Sequence, residues 1–374
     1  MGDQAIRDLD AFGQSVWLDH ISRDLIQTGH LRSLIDFGLS GMTSNPTIFD
    51  QAVGSGAAYD DQIRGLRRGG AAPFDIYDEL TTTDVRDAAD VFRPVHERTT
   101  GLDGYVSLEI NPKLADDAKR TIEEGRRLHG KVGRPNVMFK VPATDAGYGA
   151  IEELTAAGIN VNITLIFSTR QYHETAMAYL RGIRRLIRAN GDPSQVRSVA
   201  SVFVSRIDTA VDRELEALIA GETDARRKEL ASSLLGRVAV ANAHLCYVEF
   251  LKIFETDEFR ALDEKGATAQ RPLWGSTSTK NPAYSDVKYV TELIARDTVN
   301  TMPEKTFRAF LDHGRVAEAL TADASRSKEV LAGLASLGIS IDAVCARLLE
   351  DGVRAFDKSL DDLLATIDKK AGTL

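Results

Sequence analysis

The sequence predicts an α/β fold in which eight parallel strands close into a (β/α)8 barrel, the TIM barrel, with additional helices, notably at the C-terminus. Short apolar runs alternate with helical patterns along the chain, and parallel strands require such helical crossovers. The runs are almost continuously apolar, as in strands that are covered on both faces. Eight such units are the number that closes this barrel.

The predicted strands are short apolar runs that end at turn residues. In chain order they are residues 15–19, 39–44, 104–110, 137–141, 159–164, 199–204, 272–274 and 297–301. An open doubly wound sheet is the competing architecture, and it usually carries a glycine-rich phosphate turn after its first strand. Here that turn is Leu18-Asp-His-Ile-Ser22, which contains no glycine. The barrel is therefore favoured.

The predicted helices follow apolar spacing of three to four residues and end at glycine or proline. They are residues 22–37, a helix opened by Asn45, glycine-interrupted helices within 50–100, then 113–128, 147–156, 169–189, 207–219, 224–253, a helix from Pro303, and 325–367 with a break at 338–340. The charged segment 255–270 is predicted to be a surface connection. We predict one barrel domain over residues 1–374, with a helical C-terminal extension at about 325–374.

Composition limits the classes of partner. The chain has 374 residues, 43% of them hydrophobic, and a net charge of −9, which argues against a general affinity for nucleic acid. Its start lacks a signal-peptide pattern and no apolar run reaches about 18 residues, so no membrane association is expected. Cys246 and Cys345 both lie in apolar helical patterns, typical of reduced core thiols. A cytoplasmic protein is predicted.

Lys140 is the residue that most needs an explanation. It lies near the end of the apolar run Val137-Met-Phe-Lys-Val141, and lysine is rarely buried without a partner. In one explanation the strand emerges there and the ammonium group reaches water. In the other, Lys140 is a desolvated amine that attacks a carbonyl to form a Schiff base.

Other polar residues also end predicted strands, where barrel enzymes place their chemistry. They are Asp19, Thr43 with Asn45, Glu109, Thr164, Arg206, 276–280, and Asn300 with Thr301. Individually, Asp19 or Asn45 could cap a helix, Glu109 could be a surface residue, and Thr164 could simply favour a strand. Together they would place carboxylates, hydroxyls, an amide and a guanidinium on the same rim as Lys140.

The remaining motifs exclude several chemistries. No histidine lies three to five residues from another histidine or cysteine, so metal-ligand spacing is absent, and there is no G-x-S-x-G or Walker-type loop. Covalent catalysis by an amine, with carboxylate acid–base help and no cofactor or metal, is what remains. A carboxylate touching Lys140 would favour its charged form, so Glu109 is expected to act through a bridging water rather than as a tight ion pair.

Six segments carry a resemblance to a known family. They are Trp17-Leu-Asp19, Gly41-Met-Thr-Ser-Asn-Pro-Thr-Ile-Phe49, Tyr105-Val-Ser-Leu-Glu109, Val137-Met-Phe-Lys-Val-Pro-Ala-Thr144, Gly158-Ile-Asn-Val-Asn-Ile-Thr-Leu-Ile-Phe-Ser168 and Ser201-Val-Phe-Val-Ser-Arg206. These segments resemble the transaldolase family, and two later ones resemble its longer bacterial branch, namely Trp274-Gly-Ser-Thr-Ser-Thr-Lys-Asn281 and Thr298-Val-Asn-Thr-Met-Pro303. The resemblance implies transfer of a dihydroxyacetone unit from sedoheptulose 7-phosphate to glyceraldehyde 3-phosphate, giving erythrose 4-phosphate and fructose 6-phosphate. It also implies the non-oxidative pentose phosphate pathway and phosphorylated sugars as partners.

The resemblance assigns a role to each candidate residue. Lys140 matches the Schiff-base lysine, Asp19 the carboxylate that takes the C4 hydroxyl proton, and Glu109 with Thr164 the pair that holds a catalytic water. The implied substrate contacts are the amides of Asn45 and Asn162, the hydroxyl of Ser201, the aromatic wall Phe203 and the phosphate ligand Arg206.

One position departs from the family pattern. Members carry a second phosphate arginine after strand seven, where this chain offers Ser278 and Lys280. A lysine can still bind phosphate as a point charge. The nearest alternative function is a fructose 6-phosphate-type aldolase, which uses a tyrosine where this chain has Glu109. A barrel that only isomerises or binds sugar phosphates, with a structural Lys140, is a further alternative. Either a monomer or a homodimer is compatible with the sequence.

Overall fold

Eight parallel strands form a closed barrel in strand order β1 to β8, as a computed structural model covering residues 4–374 shows. The strands are β1 (Gln14–Asp19), β2 (Gly41–Thr43), β3 (Tyr105–Glu109), β4 (Val137–Pro142), β5 (Val161–Ile166), β6 (Ser198–Phe203), β7 (Arg271–Gly275) and β8 (Thr298–Met302). The barrel closes where β1 pairs with β8. The predicted fold class is confirmed, and every predicted strand is present with bounds that differ by one or two residues.

The interior of the barrel is layered. Its half near the amino ends of the strands is filled by a hydrophobic cluster of Trp17, Tyr105, Met138, Val199, Leu273 and Val299. Side chains two positions apart on a strand point to the same face. Lys140 and Asp19 each follow a member of this cluster by two positions, so they lie in the next interior layer, towards the carboxyl ends.

Gly41 makes room for the largest residue of that cluster. A Cβ atom at this position would lie 2.5 Å from the Trp17 ring, on the neighbouring strand. No side chain fits at that distance, so glycine is required where β2 passes the indole.

Helices surround the barrel. They are α1 (Gln4–Phe12), α2 (Arg23–Gln27), α3 (His30–Asp36), α4 (Pro46–Gly54), α5 (Asp60–Arg68), α6 (Pro73–Arg98), α7 (Ala118–Val132), α8 (Asp145–Ala156), α9 (Thr169–Arg188), α10 (Ser205–Gly221), α11 (Ala225–Leu234), α12 (Val238–Phe254), α13 (Asp257–Asp263), α14 (Lys288–Thr291), α15 (Glu304–His313), α16 (Ser325–Ser336) and α17 (Ile341–Thr373). Cys246 and Cys345 are buried and unpaired, as expected of core thiols.

Four details of the helix prediction are wrong. The segment 22–37 is divided into α2 and α3 by Gly29, whose φ of 80° no helix accommodates. The segment 224–253 is likewise divided into α11 and α12 near Gly236, with φ of 67°. The connection 255–270 contains α13, and α1 was not predicted.

The C-terminal helices confirm the predicted break. Gly338 has a φ of 88° between α16 and α17, and Ser340 caps α17 by accepting a hydrogen bond from the amide of Ala343. Between residues 4 and 374, no single helix is long and apolar enough to cross a bilayer. Two bent helix pairs, α11 with α12 and α16 with α17, satisfy that test by length and composition alone.

Candidate active site

A cavity of about 1110 Å³ opens at the carboxyl ends of the strands. It brings together all of the predicted site residues except two: its lining includes Asp19, Asn45, Lys140, Thr164, Ser201, Phe203, Arg206, Ser278 and Lys280. The two exceptions, Glu109 and Asn162, lie on strands that flank β4, opposite Lys140 in register. The residues that end the strands therefore share one cavity, as predicted.

Lys140 is buried at the floor of this cavity. The residue is 5% exposed, so the explanation in which its strand emerges into water is wrong. Its Nζ donates a hydrogen bond to the carbonyl oxygen of Ser44, 3.0 Å away, at the end of β2. The amine is thus positioned by a neutral acceptor rather than by solvent.

The predicted water bridge between Glu109 and Lys140 is wrong. Oε2 of Glu109 lies 2.8 Å from Nζ of Lys140, in direct contact, where a bridging water was expected. Oε2 nevertheless has no hydrogen bond of acceptable geometry within residues 4–374. Glu109 is only 4% exposed, which also excludes a surface role. The contact is direct because Glu109 and Lys140 are register partners on adjacent strands, pointing to the same interior.

Burial raises the pKa of the Glu109 carboxyl; the Lys140 charge opposes that rise, and the Asp19 carboxylate adds to it. A carboxyl with a raised pKa can accept a proton from the neighbouring ammonium group, leaving a neutral amine. The close approach is therefore compatible with a nucleophilic lysine.

Thr164 contributes a buried hydroxyl. Its Oγ1 faces the cavity and makes no hydrogen bond within the described residues 4–374. A buried hydroxyl without a partner is costly and is usually satisfied by water or ligand. Leu165, which follows it, has a φ of 60°, at an irregularity in the pairing of β5 with β6. The strand interrupts its regular pairing at this hydroxyl.

Asp19 is the last residue of β1 and is not a helix cap, since Ser22 caps α2. Its Oδ1 accepts a hydrogen bond of 2.8 Å from Oγ1 of Thr43, which lies 2.8 Å from Oγ1 of Thr301. The other carboxylate oxygen remains available to the cavity, so Asp19 can take a proton from a bound molecule.

Asn162 and Ser201 are bound to each other. Ser201 Oγ donates to Asn162 Oδ1 at 2.6 Å, and Asn162 Nδ2 donates to Ser107 Oγ at 3.0 Å. Ser201 still lines the cavity and its oxygen can accept a further hydrogen bond. The network fixes the wall beside Lys140.

Asn45 both caps a helix and lines the cavity. It caps α4, because its Oδ1 accepts a hydrogen bond from the amide of Ile48. It also lines the cavity, and its amide nitrogen makes no hydrogen bond within residues 4–374. Capping therefore fixes the side chain with its donor free for a ligand.

Arg206 and Lys280 bring positive charge to the cavity lining. Arg206, in the first turn of α10, lies 5.2 Å from the centroid of the Phe203 ring and makes no salt bridge within the part of the chain described. Burial lowers the pKa of this guanidinium, and Asp19 opposes that effect. Lys280 donates to Ser278 Oγ at 2.7 Å in the same lining. A group with several anionic oxygens fits here.

The residues of α17 that line the cavity were not identified from the sequence. Arg347, Leu348, Asp351 and Phe356 also line the cavity. No sequence signal marks them, because they follow no strand and lie in an ordinary amphipathic helix. Thr43 and Thr301 were noted only as strand ends, and their contact with Asp19 could not be deduced.

No group of three or more histidine, cysteine, aspartate or glutamate side chains could hold a metal ion among residues 4–374. The arrangement suits chemistry that needs a nucleophilic amine, two carboxyl groups and an anion subsite. The fold and site together define a lysine-centred (β/α)8-barrel enzyme.

Comparison with known proteins gives the family. The family described as "Transaldolase/Fructose-6-phosphate aldolase" matches residues 16–367. The chain is 46% identical over 358 residues to the transaldolase of Saccharopolyspora erythraea, covering 95% of this chain and 94% of that protein. It is 43% identical over 371 residues to transaldolase 2 of Nostoc sp., covering 98% and 97%. It is 42% identical over 362 residues to the transaldolase of Neisseria gonorrhoeae, covering 97% and 99%.

The chain belongs to the transaldolase/fructose-6-phosphate aldolase family. The family and the names of these relatives indicate a transferase and support a transaldolase function.

Proposed function

We propose that the protein transfers a dihydroxyacetone unit from sedoheptulose 7-phosphate to glyceraldehyde 3-phosphate through a Schiff base on Lys140, in the non-oxidative pentose phosphate pathway of the cytoplasm. The observation that carries the proposal is a buried amine at the floor of a sugar-sized cavity, 2.8 Å from a carboxyl group whose pKa is raised. Relatives named transaldolase support the same conclusion.

Imine formation requires proton transfers at Lys140. The neutral amine attacks the ketone carbon of the donor, and the resulting alcohol leaves as water once it has been protonated. Glu109 can take the ammonium proton and return it to the departing hydroxyl. The carboxyl group of Glu109, in contact with Lys140, and Oγ1 of Thr164, which has no hydrogen-bond partner within residues 4–374, are suited to hold the water that carries these protons.

Cleavage then depends on Asp19. It takes the proton of the donor's C4 hydroxyl while the C3–C4 bond breaks, and the electron pair of that bond moves towards the iminium nitrogen. The aldehyde product leaves and a three-carbon enamine stays on Lys140. Arg206, Ser278 and Lys280 bind the phosphate group of donor and acceptor, and Asn45, Asn162 and Ser201 contact the sugar hydroxyls, beside the Phe203 wall.

Reductive trapping tests the proposal. Borohydride added with fructose 6-phosphate should reduce the imine to a stable secondary amine, and peptide mass mapping should place the adduct on Lys140. Lys280 provides a matched control, because it is the other lysine that lines the cavity. Lys280→Met should keep the adduct and raise the KM for phosphorylated donors.

Two results would contradict the proposal: no adduct on the wild-type protein, or an adduct that maps to Lys280. Transfer is distinguished from simple aldol cleavage by the acceptor. The rate of donor consumption should depend on erythrose 4-phosphate, and an acceptor-independent rate of the same size would favour an aldolase.

A further inference from the structure

Helix α17 is attached to the barrel on both sides of the cavity. Near its start, the thiol of Cys345 donates to the carbonyl oxygen of Phe167, at 3.2 Å, just after β5. Near its end, Lys370 Nζ donates to the carbonyl oxygens of Val53 and Gly56 at 2.9 and 2.6 Å. The helix therefore crosses the catalytic end of the barrel between two fixed points.

Gly352 allows this helix to lie close to the strand ends. A Cβ atom at this position would be 2.8 Å from the Leu165 side chain. Leu165 is the residue with left-handed backbone that follows Thr164. The contact places the middle of α17 directly against the strand that carries the catalytic hydroxyl.

Phe356, one helical turn beyond Gly352, enters the cavity above the amine. Its ring centroid lies 5.9 Å from Nζ of Lys140, and the residue is 7% exposed. An aromatic face at this distance attracts a cation and excludes water. Phe203, the predicted aromatic wall, lies beside Arg206, with 5.2 Å between the guanidinium carbon and the ring centroid. Both rings line the same cavity.

We propose that Phe356 controls how the three-carbon enamine on Lys140 partitions between transfer and hydrolysis. This inference rests on the proposed function. In transfer, the enamine carbon attacks the acceptor aldehyde, whose oxygen takes a proton as the new carbon–carbon bond forms. In hydrolysis, that carbon takes a proton instead, water adds to the resulting iminium carbon, the carbon–nitrogen bond breaks, and free dihydroxyacetone leaves.

Phe356 acts on the second route because hydrolysis needs water at the iminium carbon. That carbon is bonded to Nζ, so it lies beneath the ring. The ring occupies the volume from which water would approach, and its electron-rich face stabilises the iminium charge without supplying a nucleophile. The acceptor is held by its phosphate group at Arg206, another residue of the cavity lining.

The test measures the ratio of dihydroxyacetone release to transfer within one protein sample. Fructose 6-phosphate is supplied with and without erythrose 4-phosphate, and free dihydroxyacetone and sedoheptulose 7-phosphate are quantified. Phe356→Ala should raise the ratio of release to transfer by about tenfold, equivalent to about 1.4 kcal/mol between the two barriers. Phe356→Leu keeps an apolar side chain for packing and should raise the ratio by a smaller factor. Because both products come from the same folded molecules, loss of folded protein leaves the ratio unchanged.

Leu360→Ala is the matched control. Leu360 lies one turn further along α17 and is 1% exposed, but it does not line the cavity. This variant should destabilise the helix and keep the wild-type ratio. An unchanged ratio in both Phe356 variants, or an equal rise in Leu360→Ala, would overturn the inference while borohydride trapping on Lys140 persists. Absence of trapping in the wild-type protein would overturn the proposed function and this inference together.

Discussion

Two buried cation–carboxylate pairs lie at opposite ends of the barrel. At the amino ends of the strands, Arg271 contacts Asp103 at 3.0 Å; at the carboxyl ends, Lys140 contacts Glu109 at 2.8 Å. All four side chains are at most 9% exposed. The two pairs thus have similar distances and burial but different surroundings.

The pair at the amino ends is fully hydrogen bonded. Ser15 Oγ donates to one oxygen of Asp103 and Trp17 Nε1 to the other, at 2.7 and 3.0 Å. Arg271 also donates to Ser15 and to the carbonyl oxygen of Leu102. A buried pair with every group satisfied is rigid and structural.

The pair at the carboxyl ends has fewer hydrogen bonds. Apart from its contact with Lys140, Glu109 accepts no hydrogen bond within residues 4–374, and the hydroxyl of Thr164 has no partner there. Lysine can also lose its proton, whereas arginine does not in proteins. The division that we propose, stability at one end and chemistry at the other, rests on the completeness of the hydrogen bonding and on the identity of the cation.

Lys140→Met should give the largest effect, a loss of activity with little change in stability. Removal of the proposed covalent nucleophile should lower kcat by more than ~10⁴-fold. The buried Glu109 can remain neutral because its pKa is raised, so the unfolding temperature should change little. Steady-state kinetics and thermal unfolding by circular dichroism measure the two effects. Retained activity would show that Lys140 is structural.

Arg271→Met should have the opposite effect, a loss of stability with little change in kcat. It leaves the Asp103 carboxylate buried without its cation, which costs about 3 kcal/mol of unfolding free energy. Denaturant unfolding measures the loss, and kcat, corrected for the folded fraction, should remain at the wild-type value. A fall in kcat without a fall in stability would contradict the division between the two ends.

The smallest of the three effects is expected for Glu109→Gln, which should lower kcat by about 10²-fold because proton transfer at the imine is lost. It should also change how stability varies with pH. The folded-state pKa of Glu109 is raised above 4.5, so the folded protein holds this proton more tightly than the unfolded chain does. Wild-type stability therefore falls as pH rises from 4.5 through the folded-state pKa.

Glutamine does not titrate, so this decline should be absent from the variant. Unfolding temperatures of both proteins from acid to neutral pH provide the measurement. The variant should gain stability relative to wild type as pH rises, and parallel profiles would show that Glu109 is not held in its neutral form.

Local sequence patterns were sufficient to predict the strands and much of the cavity lining. The ends of the predicted strands placed Asp19, Lys140 and Thr164 on one rim, and this prediction holds because the carboxyl ends of parallel strands meet at the same end of a barrel. Helix boundaries were less predictable where Gly29 and Gly236 adopt positive φ, since the apolar spacing continues across both positions.

By itself, the sequence determined the eight-stranded barrel, the residues that end its strands and the fact that these residues meet at one end of the barrel. Only the tertiary structure decided that Glu109 contacts Lys140 directly and that Phe356 of α17 covers the amine. The physical reason is that both contacts depend on the placement of separate elements. Strand register sets the distance between Glu109 and Lys140, and the docking of α17 at Gly352 sets the position of Phe356.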